Sequence, residues 1–119
     1  MTSLQHVSVE LREDATDAEV AFWELLGFER VEPPPPINEI AVWVQRDGTQ
    51  IHFLFTDEPV VPRGGHVAVV AEEWQATFDR LLDAGFEPEE HRRAWGAARA
   101  FVHTPGGHLV EFMEYPPVR

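Results

Sequence analysis

Apolar and polar residues alternate over residues 4–11, with Val7, Val9 and Leu11 on one face and His6, Ser8 and Glu10 on the other. A period of two predicts a half-buried strand. The period then lengthens. Ala18, Phe22, Leu25 and Leu26 recur at helical spacing, with Asp14 or Thr16 placed to cap the start and Gly27 to end the helix. A short strand is predicted at 28–32, and the prolines at 33–36 force an extended connector. Strands at 40–45 and 50–55 flank Arg46-Asp47-Gly48-Thr49, a hairpin turn. Residues 57–64 are dense in turn formers.

The same order then returns. Residues 66–70 read as a strand. A helix follows Glu72 or Glu73, with Trp74, Phe78, Leu81 and Leu82 on its apolar stripe and Gly85 at its end. A short strand at 86–89, a loop through Arg92, Arg93, Trp95 and Gly96, a strand at 98–103, a turn at 104–107 and a strand at 108–114 complete the pattern. Landmarks repeat at near-constant distance: His6 to His66 is a shift of 60, Gly27 to Gly85 of 58, and both Gly48 to Gly107 and His52 to Glu111 of 59. Such agreement indicates an internal duplication. The chain is therefore expected to be an α+β domain of two βαβββ modules, residues 1–58 and 64–115, whose mixed sheet curls around a central cavity.

The duplication gives four polar residues repeat-related places. His6 matches His66, and His52 in Ile51-His52-Phe53 matches Glu111 in Val110-Glu111-Phe112. Each is flanked by apolar neighbours and so points away from the packed face of its strand. In a duplicated sheet curled on itself, equivalent positions are expected to face one another. Three imidazoles and one carboxylate converging suit a divalent ion such as zinc, nickel, manganese or iron. His91, His103 and His108 have no repeat-related partner and stay outside this set.

Composition narrows the classes. The 119 residues suffice for one packed domain, and 44% hydrophobic content argues against disorder. There is no cysteine, hence no disulfide frame or thiolate metal site. A net charge of −12 opposes nucleic acid, whose phosphates it would repel, and is compatible with a cationic ligand or metal. No apolar run approaches the length of a membrane span, and no basic-then-apolar leader stands at the start, so a cytoplasmic protein without membrane partners is expected.

The quoted residues resemble the vicinal oxygen chelate superfamily, which includes glyoxalase I, fosfomycin-resistance transferases, extradiol dioxygenases and bleomycin-binding proteins. The resemblance is carried by Leu4-Gln5-His6-Val7-Ser8-Val9, Phe22-Trp23-Glu24-Leu25-Leu26-Gly27-Phe28, Gly65-His66-Val67-Ala68-Val69 and Thr104-Pro105-Gly106-Gly107-His108-Leu109-Val110-Glu111-Phe112. It implies His6, His52, His66 and Glu111 as metal ligands, a small-molecule substrate and a homodimer. It further implies lyase or isomerase chemistry in which two vicinal substrate oxygens are chelated and an enediolate or oxyanion is stabilised, with Glu111 as proton-moving base. His52 departs from the glutamate a bacterial glyoxalase I would carry. An extradiol dioxygenase using His6, His66 and Glu111 on ferrous iron is one alternative, and a non-catalytic drug-binding protein of the bleomycin-resistance kind is another. Arg99, Phe101, Trp43 and Trp95 are the candidate substrate-binding residues. Whether Arg99 and Phe101, or Ala98, Ala100 and Val102, face the cavity depends on the hairpin register beyond Pro105.

Overall fold

The computed structural model describes residues 3–118. It divides into two compact units, Met1–Val61 and Pro62–Arg119. In the first, β1 (His6–Leu11) is followed by helix α1 (Thr16–Leu25), β2 (Glu29–Val31), β3 (Ala41–Arg46) and β4 (Thr49–Phe55). In the second, β5 (His66–Val70) is followed by α2 (Trp74–Asp83), β6 (Glu89–His91), β7 (Arg99–His103) and β8 (Leu109–Met113). Each unit is a four-stranded mixed sheet, ordered β1-β4-β3-β2 and β5-β8-β7-β6. The first strand of each unit pairs parallel with the last, and the other pairings are antiparallel. This is the expected α+β arrangement of βαβββ modules, with sheets curled but not closed.

Local chemistry explains most element ends. Asp47 and Gly48 have φ values of 50° and 81°, so Arg46 and Thr49 face each other across a two-residue turn with both central residues left-handed. The twist of such a turn matches that of the strands it joins. Both helices stop the same way. Gly27 and Gly85 take positive φ, and the N–H of the following phenylalanine reaches back five residues, Phe28 to the Trp23 carbonyl and Phe86 to that of Leu81.

That closure also shifts one strand. The backbone after Gly85 is spent on ending the helix, so β6 begins at Glu89 rather than at residue 86. The N-cap expectation fails too. A 3-10 turn at Glu13–Ala15 precedes α1, Asp14 is paired with Arg12 at 3.1 Å, and the Thr16 hydroxyl donates to the Glu13 carbonyl at 2.7 Å. Thr16 is itself the first helical residue, the N-cap position falls on Ala15, and no side chain caps α1. A second 3-10 turn, Ile37–Glu39, ends the proline connector.

Each unit has its own core. Phe53 and Phe112, equivalent by the repeat, are both fully buried. Trp23 packs on Phe22, Phe28 and Phe53, and Trp74 packs on Phe78 and Phe112. The α1 stripe differs from expectation in its polar member. Glu19 is wholly buried, accepting a hydrogen bond from the Trp23 indole at 3.0 Å, while Ala18 is exposed. On α2, Leu82 is exposed, since it lies about 100° around the helix from the buried Leu81.

Candidate functional site

The face of each sheet turned away from its helix carries the candidate residues. In the second unit, Phe101 sits opposite Glu111 and Arg99 opposite Met113 across the β7–β8 ladder, while Ala98, Ala100 and Val102 are buried at 4%, 0% and 2% exposure. The register question is thereby settled. Arg99, Phe101 and His103 share the face of Glu111, and the intervening residues form the core. Trp43 lies opposite His52 in the first unit, as Phe101 lies opposite Glu111 in the second, so the two aromatic candidates hold equivalent places.

Glu111 is buried and fully engaged. Its Oε2 accepts from Arg99 Nε at 2.9 Å, and its Oε1 lies 3.3 Å from His66 Nε2. Arg99 is held from several sides. Its Nη1 donates to the Arg92 carbonyl at 3.1 Å, and its guanidinium lies 5.3 Å from the Trp95 ring and 5.4 Å from that of Phe101. Trp95 is pinned in turn by its indole N–H on the Tyr115 carbonyl at 2.8 Å. Glu111, Arg99 and Trp95 thus form one chain of contacts.

His66 shows which of its nitrogens is available. Nδ1 lies 3.0 Å from the Gly64 carbonyl, an oxygen that can only accept, so Nδ1 carries the proton. In the neutral ring, Nε2 then directs a lone pair into the region of Glu111 Oε1. A cavity of about 400 Å³ opens beside His66, lined also by Glu89, His91, Phe101, Val102, His103 and Leu109. His91 and His103, which the repeat leaves out, line it because β6 and β7 alternate in phase with Glu111. The β6–β7 pairing of Glu89 with Phe101 would have disclosed them, and that pairing has no signature in the sequence.

In the first unit, His52 is buried between two rings. Trp43 lies on one face and His6 on the other, each with ring centroids 4.0 Å away and planes within 7° and 10° of parallel. His52 Nε2 meets Gln50 Oε1 at 2.8 Å, and the Gln50 amide donates to Gln45 Oε1 at 2.8 Å. His6 is exposed, with Nδ1 2.7 Å from Gln5 Oε1. Burial, and secondarily the positive charge His6 can carry, lowers the pKa of His52 from its ordinary value. The Trp43 indole nitrogen is buried with no hydrogen-bond partner among the described residues.

The structure thus brings the four candidate ligands together as two pairs, His6 with His52 and His66 with Glu111. Among the described residues, no group of three or more histidine, aspartate or glutamate side chains is drawn together as a metal cluster.

Paired βαβββ modules, with histidines on each first strand and a glutamate on the last, define a class of protein. The chain belongs to the Glyoxalase/Bleomycin resistance protein/Dioxygenase superfamily, whose family model matches residues 3–112. It is 27% identical to Glyoxylase I 4 of Arabidopsis thaliana over 123 aligned positions, covering 93% of this chain and 70% of that protein. Its fold superposes on a glyoxalase family protein from Bacillus anthracis with a TM-score of 0.84, at 20% identity over 98% of this chain and 97% of the other. The fosfomycin resistance protein FosX from Listeria monocytogenes, solved with manganese(II) and a dihydroxypropylphosphonic acid, aligns with a TM-score of 0.75 at 16% identity, over 98% and 94%. Among the described residues, no helix is long and apolar enough to cross a membrane.

Proposed function

We propose that the chain is a metal-dependent enzyme of glyoxalase-like lyase or isomerase chemistry acting on a small substrate. The observation that supports this reading best is the His66–Glu111 pair. With Nδ1 spent on the Gly64 carbonyl, Nε2 stands 3.3 Å from Glu111 Oε1. Two ligand atoms at about 2.1 Å from one tetrahedral ion lie about 3.4 Å apart. A histidine that donates its other nitrogen to a carbonyl is also how ligating imidazoles are commonly oriented. His66 and Glu111 would hold an ion in the second unit, and His6 and His52 are the candidate donors of the first. A divalent ion bound there would stabilise negative charge developing on adjacent substrate oxygens.

The chain's own groups have separable tasks under this proposal. Arg99 holds one carboxylate oxygen, so Glu111 has only Oε1 to give, whether to ligation or to a proton from substrate. Phe101 in the second unit and Trp43 in the first are the apolar surfaces offered to a substrate body, and Arg99 and Trp95 orient Glu111 rather than bind substrate. Metal analysis of protein purified without chelator is expected to find a stoichiometric divalent ion that His66→Ala loses. Full metal content in that variant would overturn the assignment.

A second reading has an observation in its favour. Glu111 is already paired with Arg99 and His6 already stacked on His52, which suits a non-catalytic small-molecule binder. Calorimetric titration showing no divalent binding in the micromolar range would select it. Oxygen uptake with a catechol would instead select an iron-dependent dioxygenase.

A further inference from the structure

The first unit holds one ring far more tightly than the chemistry of a lone ligand requires. His52 is covered by Trp43 on one face and His6 on the other, and its Nε2 edge is tied to Gln50, itself tied to Gln45 on the neighbouring strand. Ser8, His52 and Trp43 are in register across β1, β4 and β3, so three strands build the clamp. Imidazole lone pairs lie in the plane of the ring. Two nearly parallel rings with centroids 4.0 Å apart therefore cannot both aim a lone pair at a single ion about 2.1 Å from each. The clamped ring is buried, whereas its partner is exposed and has Nε2 clear of the Nδ1 contact with Gln5.

We propose that His52 is a positioning residue, a buried aromatic plate that fixes the plane of the His6 ring, and that of these two rings His6 alone can donate to a metal ion. The part concerning the ion rests on the metal-dependent reading; the part concerning the plate does not. His52 therefore acts through its faces, and a ring without nitrogen can replace it.

The test compares His52→Phe, His52→Ala and His6→Ala in the full-length protein, titrated calorimetrically with zinc(II). His52→Phe is expected to bind near the wild-type affinity, and His52→Ala about 10-fold or more weakly, the usual loss when a group orienting a ligand is removed. His6→Ala is expected to be at least as weak as His52→Ala. If His52→Phe falls as far as His52→Ala, His52 is a ligand and the proposal is wrong.

Two measurements on the wild-type protein stand even if His52→Phe fails to fold. In the metal-free protein, the ring protons of His6 are expected upfield of their free positions, shielded by the His52 face. Unshifted His6 protons would refute the stack. During zinc titration, the His6 Nε2 resonance should move and the His52 nitrogens should not; the reverse would make His52 the ligand. If the wild-type protein binds no zinc, the metal-dependent reading and His6's role as donor both fail, and the proton shifts still decide whether His52 is the plate.

Discussion

Arg99 carries more of the site than any other single side chain, since it links Glu111, Trp95, Phe101 and the Arg92 carbonyl. Removing it strands a buried carboxylate oxygen without its donor, which costs about 1–3 kcal/mol. Arg99→Ala is accordingly expected to lower stability by that amount in urea denaturation, and Glu111→Gln by less, because an amide oxygen still accepts from Nε. A loss below about 0.5 kcal/mol in Arg99→Ala would show that the pair contributes little. His52 supplies a test by pH. Its folded pKa is lowered from the ordinary 6.5, first by burial and then by His6. Well above pH 6.5 both folded and unfolded rings are neutral and nothing changes. As pH falls below that value, the unfolded chain takes up a proton before the folded one, so stability declines. Wild-type stability is expected to drop more steeply than that of His52→Phe between about pH 7.5 and 5.5, and parallel slopes would contradict it.

At the scale of elements, the buried Glu19 is the least expected feature of α1. It sits one turn before Trp23 and satisfies that indole inside the core. Glu19→Ala leaves the indole N–H short of its acceptor and is expected to cost about 1–3 kcal/mol, read as a lowered urea midpoint. A helical stripe drawn from hydrophobicity alone passes over such a residue, because the partner that makes its burial tolerable is one turn away. Other element features were legible. The Asp47-Gly48 turn follows from two residues that accept left-handed backbone, and the phenylalanine after each helix-ending glycine marks the same closure twice. Asp14 and Thr16 do not cap for a reason propensity does not contain, since a 3-10 turn runs into the helix, puts Ala15 at the N-cap position and leaves Asp14 paired with Arg12.

For the whole molecule, a net charge of −12 on 119 residues is a standing repulsion in the folded state. Raising sodium chloride from about 10 to about 200 mM shortens the screening length from about 30 Å to below 10 Å and is expected to raise the melting temperature. A flat or falling response would mean that favourable ion pairs outweigh the repulsion. The two buried phenylalanines give the matching test of the duplicated cores. Phe53→Ala and Phe112→Ala are each expected to cost about 3–5 kcal/mol, and a much smaller loss in either would show that its core collapses around the gap.

The sequence by itself determined the duplication, the α+β order of elements and the strand positions of His6, His52, His66 and Glu111. Those follow from periodicity and spacing, which are properties of the chain in one dimension. The register of β7 against β8 decided that Arg99 and Phe101 share the face of Glu111 and that Ala98, Ala100 and Val102 do not. Tertiary structure alone decided what each candidate touches: the carbonyl that orients His66, the guanidinium that occupies Glu111, and the two rings that close on His52. Such contacts depend on which strands are neighbours and where side chains lean between them, and a one-dimensional pattern carries neither.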